Sequence, residues 1–250
     1  MSSARRAASD LHPATRGFGL AADAYERGRP DYPAAAIDWL AERLDLRPGR
    51  TVIDLAAGTG KLTRLLVPTG ADVIAVEPIE EMRAKIVGAR VLAGTAESIP
   101  LGDASVDAVT VAQAFHWFRL DEALAEIHRV LRPGGGLALV WNVRDERDPL
   151  QAAASAVMQP LEVDVPRRHR RDWRQVIDAT ETATFDHEQL VGEDAFVERF
   201  TSVSFVAAAP AERRAEIEAQ LRALVHDADR PIRLPYVTEI YLARKAEAGT

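Results

Sequence analysis

A chain of 250 residues, 47% hydrophobic and 28% charged, has the composition of a globular protein with a full core and room for one large domain. Its net charge of −7 argues against a nucleic-acid partner, and the absence of cysteine removes disulfides, thiolate metal sites and cysteine nucleophiles together. No run of about 18 apolar residues is present, so no segment reads as a membrane-spanning helix.

Residues 1–15 are small, polar and mildly basic, without the apolar block of a signal peptide. They read as a disordered leader on a cytoplasmic protein. Residues 16–48 follow as an N-terminal lid with helices. From Thr51 to Val143 short apolar runs alternate with amphipathic stretches, the βαβα pattern of a parallel sheet.

Strands are expected at Thr51–Ala56, Ala71–Val76, Arg90–Leu92, Val106–Ala112 and Leu137–Trp141. Helices are expected after Gly60 (with Leu62, Leu65 and Leu66 on one face), at Glu80–Val87 and at Leu120–Leu131, where Pro133 and three glycines stop the last one. Residues 144–233 lose the alternation. They read as a helical insertion at the edge and roof of the sheet, with helices at Pro149–Met158, Asp172–Ala179, Asp194–Phe200 and Ala211–Val225 and one strand near Thr184–Leu190. A last strand lies within residues 234–244. The fold class is α/β: a Rossmann-like, seven-stranded, mostly parallel sheet with helices on both faces and a helical insertion late in the chain.

The chemistry concentrates first in Asp54-Leu55-Ala56-Ala57-Gly58-Thr59-Gly60-Lys61-Leu62. A glycine turn between strand and helix lets a ligand approach the backbone at the carboxyl edge of the sheet. Glu77 ends the next strand, 19 residues past Gly58, where a carboxylate accepts hydrogen bonds from both ribose hydroxyls of a nucleoside. A P-loop would need a glycine in place of Leu55 and Ser or Thr in place of Leu62. A dinucleotide site wants a third glycine, and Thr63 stands there. An S-adenosylmethionine site has no pyrophosphate to cradle, tolerates that loss and wants an acid in the strand before the turn, which Asp54 supplies.

From about Ala22 to Asn142 the sequence resembles class I S-adenosylmethionine-dependent methyltransferases, particularly the type 11 branch. The motifs occur in order: Asp54 to Gly60; Val76-Glu77-Pro78 through Met82; Gly94 to Leu101, including Ala96 and Glu97; Ser105 to Val109; and Val130 to Gly135. The resemblance implies cofactor contacts at Asp54, Ala56, Gly58, Thr59, Gly60, Glu77, Pro78, Met82, Ala96, Glu97, Ala112 and Gln113. Phe115-His116-Trp117-Phe118, Tyr25 with Arg29-Pro30-Asp31-Tyr32-Pro33, and Leu234 to Tyr241 resemble a subgroup that includes trans-aconitate methyltransferases.

On this reading His116, Tyr25 and Arg29 are the candidate catalytic residues, and Tyr32, Trp117 and Asn142 face the acceptor. His116 serves as a base or only orients, since a carboxylate acceptor needs no base. Arg29 pairs a carboxylate of the cofactor or of the acceptor. The basic run Arg167-Arg168-His169-Arg170-Arg171 reads as a solvated or dimer-facing loop or a site for an acidic group. The histidines are scattered, so no metal is expected.

The expected function is therefore methylation of a small molecule, with O-methylation of a carboxylate favoured, by a monomer or homodimer without a membrane partner. Competing readings are an NAD-dependent oxidoreductase, a non-catalytic S-adenosylmethionine-binding protein and a nucleic-acid methyltransferase. Against the last, Gln113-Ala114-Phe115-His116 is not an Asn-Pro-Pro-Tyr type motif.

Overall fold

A computed structural model of the chain describes residues 28–162 and 173–247. Seven strands, β1 (Thr51–Leu55), β2 (Asp72–Val76), β3 (Arg90–Leu92), β4 (Val106–Ala112), β5 (Leu131–Arg144), β6 (Glu181–Val191) and β7 (Ile232–Arg244), form one sheet in the order β3-β2-β1-β4-β5-β7-β6. β7 runs antiparallel to both of its neighbours, and the other pairings are parallel. From β1 the chain winds outward to β2 and β3, then returns to place β4 on the other side of β1. The carboxyl ends of β1 and β4 therefore flank the switch point where open α/β sheets bind ligands.

Nine α-helices lie among the described residues: α1 (Ala34–Arg43), α2 (Thr63–Leu66), α3 (Glu80–Arg83), α4 (Leu120–Val130), α5 (Pro149–Glu162), α6 (Trp173–Val176), α7 (Glu193–Thr201), a short α8 (Ser204–Ala207) and α9 (Ala211–Leu224). Period-two alternation divides the strand residues between two faces. Ile53, Leu55, Val109, Val111, Leu137 and Leu139 pack against Ala123, Ile127 and Val130 of α4 and Trp173 of α6. Val52, Val73, Ala108, Ala138 and Val140 pack against Ala36, Ile37 and Leu40 of α1 and Leu66 of α2. A third cluster forms the roof, with Met158, Phe196, Phe200, Val206, Ile217 and Leu221 packed on Ile232, Leu234 and Tyr236 at the start of β7.

Several expected boundaries move, among them the ends of α5, which runs on to Glu162, and of α6, which is helical only over Trp173–Val176. The helix expected at Glu80–Val87 is helical only to Arg83, and Gly88 turns the chain with φ +78°. β5 begins at Leu131 rather than Leu137: Leu131 pairs with Val106, Gly136 with Ala108, and Gly134 bends between them at φ +74°. The strand near Thr184–Leu190 runs from Glu181 to Val191, held along its length by β7. Among the described residues no helix is long and apolar enough to cross a membrane.

Candidate active site

A cavity of about 410 Å³ opens at the carboxyl edge of the sheet, over the ends of β1, β2, β4 and β5. β1 ends in a backbone reversal: Ala56, Gly58 and Gly60 have φ of +56°, +58° and +86°. At Gly58 the space for a Cβ holds only the Met82 sulfur, 3.9 Å away, so a side chain there would project into the cavity. Gln113, at the end of β4, is likewise left-handed with φ +58°. Two non-glycine residues in this region, both lining one cavity, mark strained backbone held in place by its surroundings.

Glu77 caps β2 and is buried, 3% exposed. Its carboxylate accepts the Gly58 and Ile79 amides, each at 2.9 Å, which ties the glycine turn to the second strand. Burial pushes its pKa up, against the Ile79 and Gly58 amides and the Arg83 charge. Arg83 closes the same turn by donating to the Glu77 and Pro78 carbonyls at 2.9 and 2.6 Å. Each carboxylate oxygen retains a lone pair for a further donor.

Asp54 lies behind the turn rather than on the cavity wall. It is 1% exposed, and its Oδ2 accepts the Thr63 hydroxyl of α2 at 2.6 Å. Burial pushes its pKa up to about 7, against the hydrogen bond from Thr63. Gly60 also stands off the wall; a Cβ there would meet two Ile86 carbons at 3.3 Å, so α2 and the segment after α3 close on a bare backbone.

The wall brings together Ala56, Gly58, Thr59, Glu77, Pro78, Met82, Ala96, Glu97, Ala112 and Gln113 of the expected cofactor set, Tyr32, Trp117 and Asn142 of the expected acceptor set, and Arg29 of the candidate catalytic residues. His116 is set behind it in an aromatic group, its ring 4.5 Å from Trp117 and 5.4 Å from Trp141. Trp141 in turn stacks on Trp173 at 5.3 Å. Asn142 faces the cavity, but its amide donates to the Pro30 and Asp31 carbonyls at 3.4 and 3.2 Å and its oxygen accepts the Thr238 hydroxyl at 2.6 Å. Its polar atoms hold a strap, residues 29–33, across the sheet edge. Asp31 fastens the same strap to Lys61 of the turn before α2 and to Arg64 of α2, at 3.2 and 2.6 Å. Burial opposes the Asp31 charge, yet the two cations outweigh it and its pKa is lowered. Tyr25 and the Arg167–Arg171 run lie outside the described residues.

Sequence reasoning passed over Arg199. It lines the cavity from α7 although it is only 3% exposed. Its signal was present in Phe196-Val197-Glu198-Arg199-Phe200: a cation three residues after Phe196 falls on the apolar face of the helix.

Comparison with known proteins bears on this geometry. A methyltransferase domain profile matches residues 53–139, from β1 into β5. An uncharacterised methyltransferase of Mycobacterium tuberculosis is 41% identical over 245 residues, covering 88% of this chain and 92% of that protein.

The chain belongs to the methyltransferase family. An uncharacterised methyltransferase-like protein of Schizosaccharomyces pombe is 32% identical over 239 residues, covering 90% and 93% of the two chains. Among solved structures, one assigned as a type II methyltransferase from Anaeromyxobacter dehalogenans superposes with a TM-score of 0.70 at 29% identity, over 88% of this chain and 99% of that one. The methyltransferase fold extends past the profile match, so β6, β7 and the roof are part of the shared architecture. Among the described residues no group of three or more histidines or acids is placed to hold a metal ion.

Proposed function

We propose that this methyltransferase transfers a methyl group from S-adenosylmethionine to a small-molecule acceptor, with O-methylation of a carboxylate as the favoured reaction. The charge of the cavity wall carries this reading. Four cationic side chains, Arg29, Lys61, Arg119 and Arg199, line the cavity beside two carboxylates, Glu77 and Glu97, with Lys61 also paired to Asp31 and Arg119 to Glu122. Both carboxylates already hold backbone amides, Glu97 that of Arg119 at 2.9 Å. Cations that face a low-dielectric cleft attract anions into it. A carboxylate oxygen is nucleophilic as it stands, so such an acceptor asks the protein for alignment and water exclusion and for no general base.

The residues present fit the cofactor. When bound, S-adenosylmethionine supplies a sulfonium methyl group to a nucleophile approaching in line with the carbon–sulfur bond. Glu77 would receive the ribose hydroxyls on its remaining lone pairs, with its two amide bonds fixing the carboxylate plane. Met82, Pro78 and Ala96 offer apolar surface to the adenine, and Glu97 an acceptor at its edge. The open space over Gly58 admits the amino-acid portion, which lets Asp54 act from behind by holding the turn through Thr63. On the acceptor side Tyr32, Trp117 and Phe118 exclude water, and His116 orients Trp117 through ring contact. Arg29 belongs to the strap over the acceptor side on this reading. The kinship with the trans-aconitate subgroup rests on the Phe-His-Trp-Phe run and agrees with the wall's charge.

The test is isothermal titration with S-adenosylhomocysteine and, separately, NADH, on the native protein and on Glu77→Ala. Binding of S-adenosylhomocysteine alone is expected, weakened at least about tenfold by the substitution, which corresponds to about 1.4 kcal/mol or more. Binding of NADH instead, or of neither, overturns the proposal.

A further inference from the structure

Arg199 is a buried guanidinium whose hydrogen-bonding capacity is largely unspent. Its Nε donates to the Tyr236 hydroxyl at 2.8 Å, and its charge lies 5.7 Å from the Tyr236 ring and 5.9 Å from the Phe200 ring. Its buried Nη1 has no hydrogen-bond partner, and no carboxylate pairs with Arg199 among the described residues. A buried cation facing a cavity without an anionic partner is costly unless a ligand completes it. The site is also built from two sides. Gly28 packs so closely on α7 that a Cβ there would come within 3.2 Å of the Arg199 Cα, which sets the Arg29 strap beside it.

Strand register says which ligand meets it. Ala112, at the end of β4, pairs with Val140 of β5, level with the glycine turn. Tyr236, which holds Arg199, pairs with Arg144, four residues further along β5 and roughly 13 Å higher at the usual rise per residue. Laterally β7 lies four strands from β2, roughly 19 Å from Glu77 at the usual strand spacing. Arg199 therefore sits at the end of the cavity opposite the ribose-binding carboxylate, on the roof.

We propose that Arg199 is an acceptor-recognition residue, its guanidinium anchoring a carboxylate of the acceptor that is remote from the atom being methylated. The proposal rests on the methyl-donor site described above and specifies its substrate class: a molecule carrying a nucleophile at one end and a carboxylate at the other, short dicarboxylic acids being the simplest. The planar fork of Arg199 matches the two carboxylate oxygens, and the Tyr236 hydroxyl fixes the fork's rotation. Arg199 contributes recognition, not chemistry, so its loss belongs in KM rather than kcat.

The experiment uses the full chain loaded with S-adenosylhomocysteine for calorimetric binding, and with radiolabelled S-adenosylmethionine for turnover. The probes are the dicarboxylates from succinate to adipate, isophthalate, and the monoamide of each. The native protein is expected to bind at least one diacid tenfold or more tightly than its monoamide. Arg199→Met is expected to abolish that preference by weakening the diacid alone, with kcat at saturation and affinity for S-adenosylhomocysteine each within about twofold. Tyr236→Phe, which keeps the charge and the packing, is expected to reduce the preference severalfold, and it carries the test if Arg199→Met does not fold.

Three results overturn the inference. One is an equal affinity for diacid and monoamide, or for neither, in a protein that binds S-adenosylhomocysteine. Another is a preference that survives the substitution. The third is an Arg199→Met protein that loses S-adenosylhomocysteine but keeps 5′-methylthioadenosine, which would assign the guanidinium to the cofactor's own carboxylate. A native protein that binds no S-adenosylhomocysteine fails the methyl-donor reading instead.

Discussion

Asp54 and Glu77 are carboxylates taken out of water by the two strands that end at the cavity, and burial raises the pKa of both. Asp54, pushed from 3.8 to about 7, keeps a proton in the folded chain that the unfolded chain has released. Between those values the native state binds more protons, so this group makes stability fall as pH rises from about 4 to 7 and adds no slope above. The shift corresponds to at most about 4 kcal/mol over that window. Asp31, Asp107 and Glu126 have lowered pKa values and lose their contribution only as pH falls below about 4, outside the same window. Asp54→Asn, still able to accept from Thr63, is expected to flatten urea-unfolding stability between pH 5 and pH 7.5; an unchanged slope would show that Asp54 is ionised throughout. Gly94 is a position of the opposite kind, where volume decides. A Cβ there would come within 2.6 Å of Pro100 Cδ and 3.0 Å of Val76 Cγ1. Gly94→Ala is thus expected to cost about 1–3 kcal/mol, read as a lowered urea midpoint at unchanged m.

At the scale of elements, the strands were the most legible part of the chain. β1, β2 and β4 are buried on both faces, so their apolar runs mark their limits to within a residue, and the short run of the half-buried edge strand β3 marks it as closely. β5 was read short because Pro133 and Gly134 to Gly136 signal a turn, whereas the ladder to β4 and the Gly136–Arg244 pairing to β7 hold that segment in the sheet. Helices were less legible: α3 and α6 are single turns whose apolar spacing continues past the point where tertiary packing stops them. The glycine-turn end of the cavity could be assembled from the sequence because its residues follow one another in local motifs. The strap was not, because what holds it is non-local: Asn142 is 112 residues from Pro30. Asn142→Ala removes both bonds to the strap and leaves the fully buried Thr238 hydroxyl without its acceptor. A loss of about 1–3 kcal/mol is expected, together with faster amide exchange at Arg29, Asp31 and Tyr32. Unchanged exchange there would mean that Asp31, through Lys61 and Arg64, suffices to hold the strap.

Across the whole molecule the packing divides the work of the site. Two hydrophobic clusters sandwich the sheet and fix the strands whose carboxyl ends line the glycine-turn end of the cavity. The third binds α5, α7, α8 and α9 to the start of β7, and among the described residues that line the cavity only Arg199 comes from the chain beyond Asn142. No local motif marks that contribution in sequence, since a roof is recognised by what it covers. The roof is a separate apolar unit, and separate units open with their own free energies. A ligand protects a unit against opening only insofar as it binds the closed form. S-adenosylhomocysteine is therefore expected to slow amide exchange in the glycine turn, α2 and α3 while leaving α7 and α9 nearly as they are in the free protein. Addition of a diacid that binds the loaded protein is expected to slow α7, through Arg199, and α9 packed against it. Slowing of the roof by S-adenosylhomocysteine alone would show that the two ends of the cavity are coupled before any acceptor arrives, and that the sheet edge and the roof close as one body.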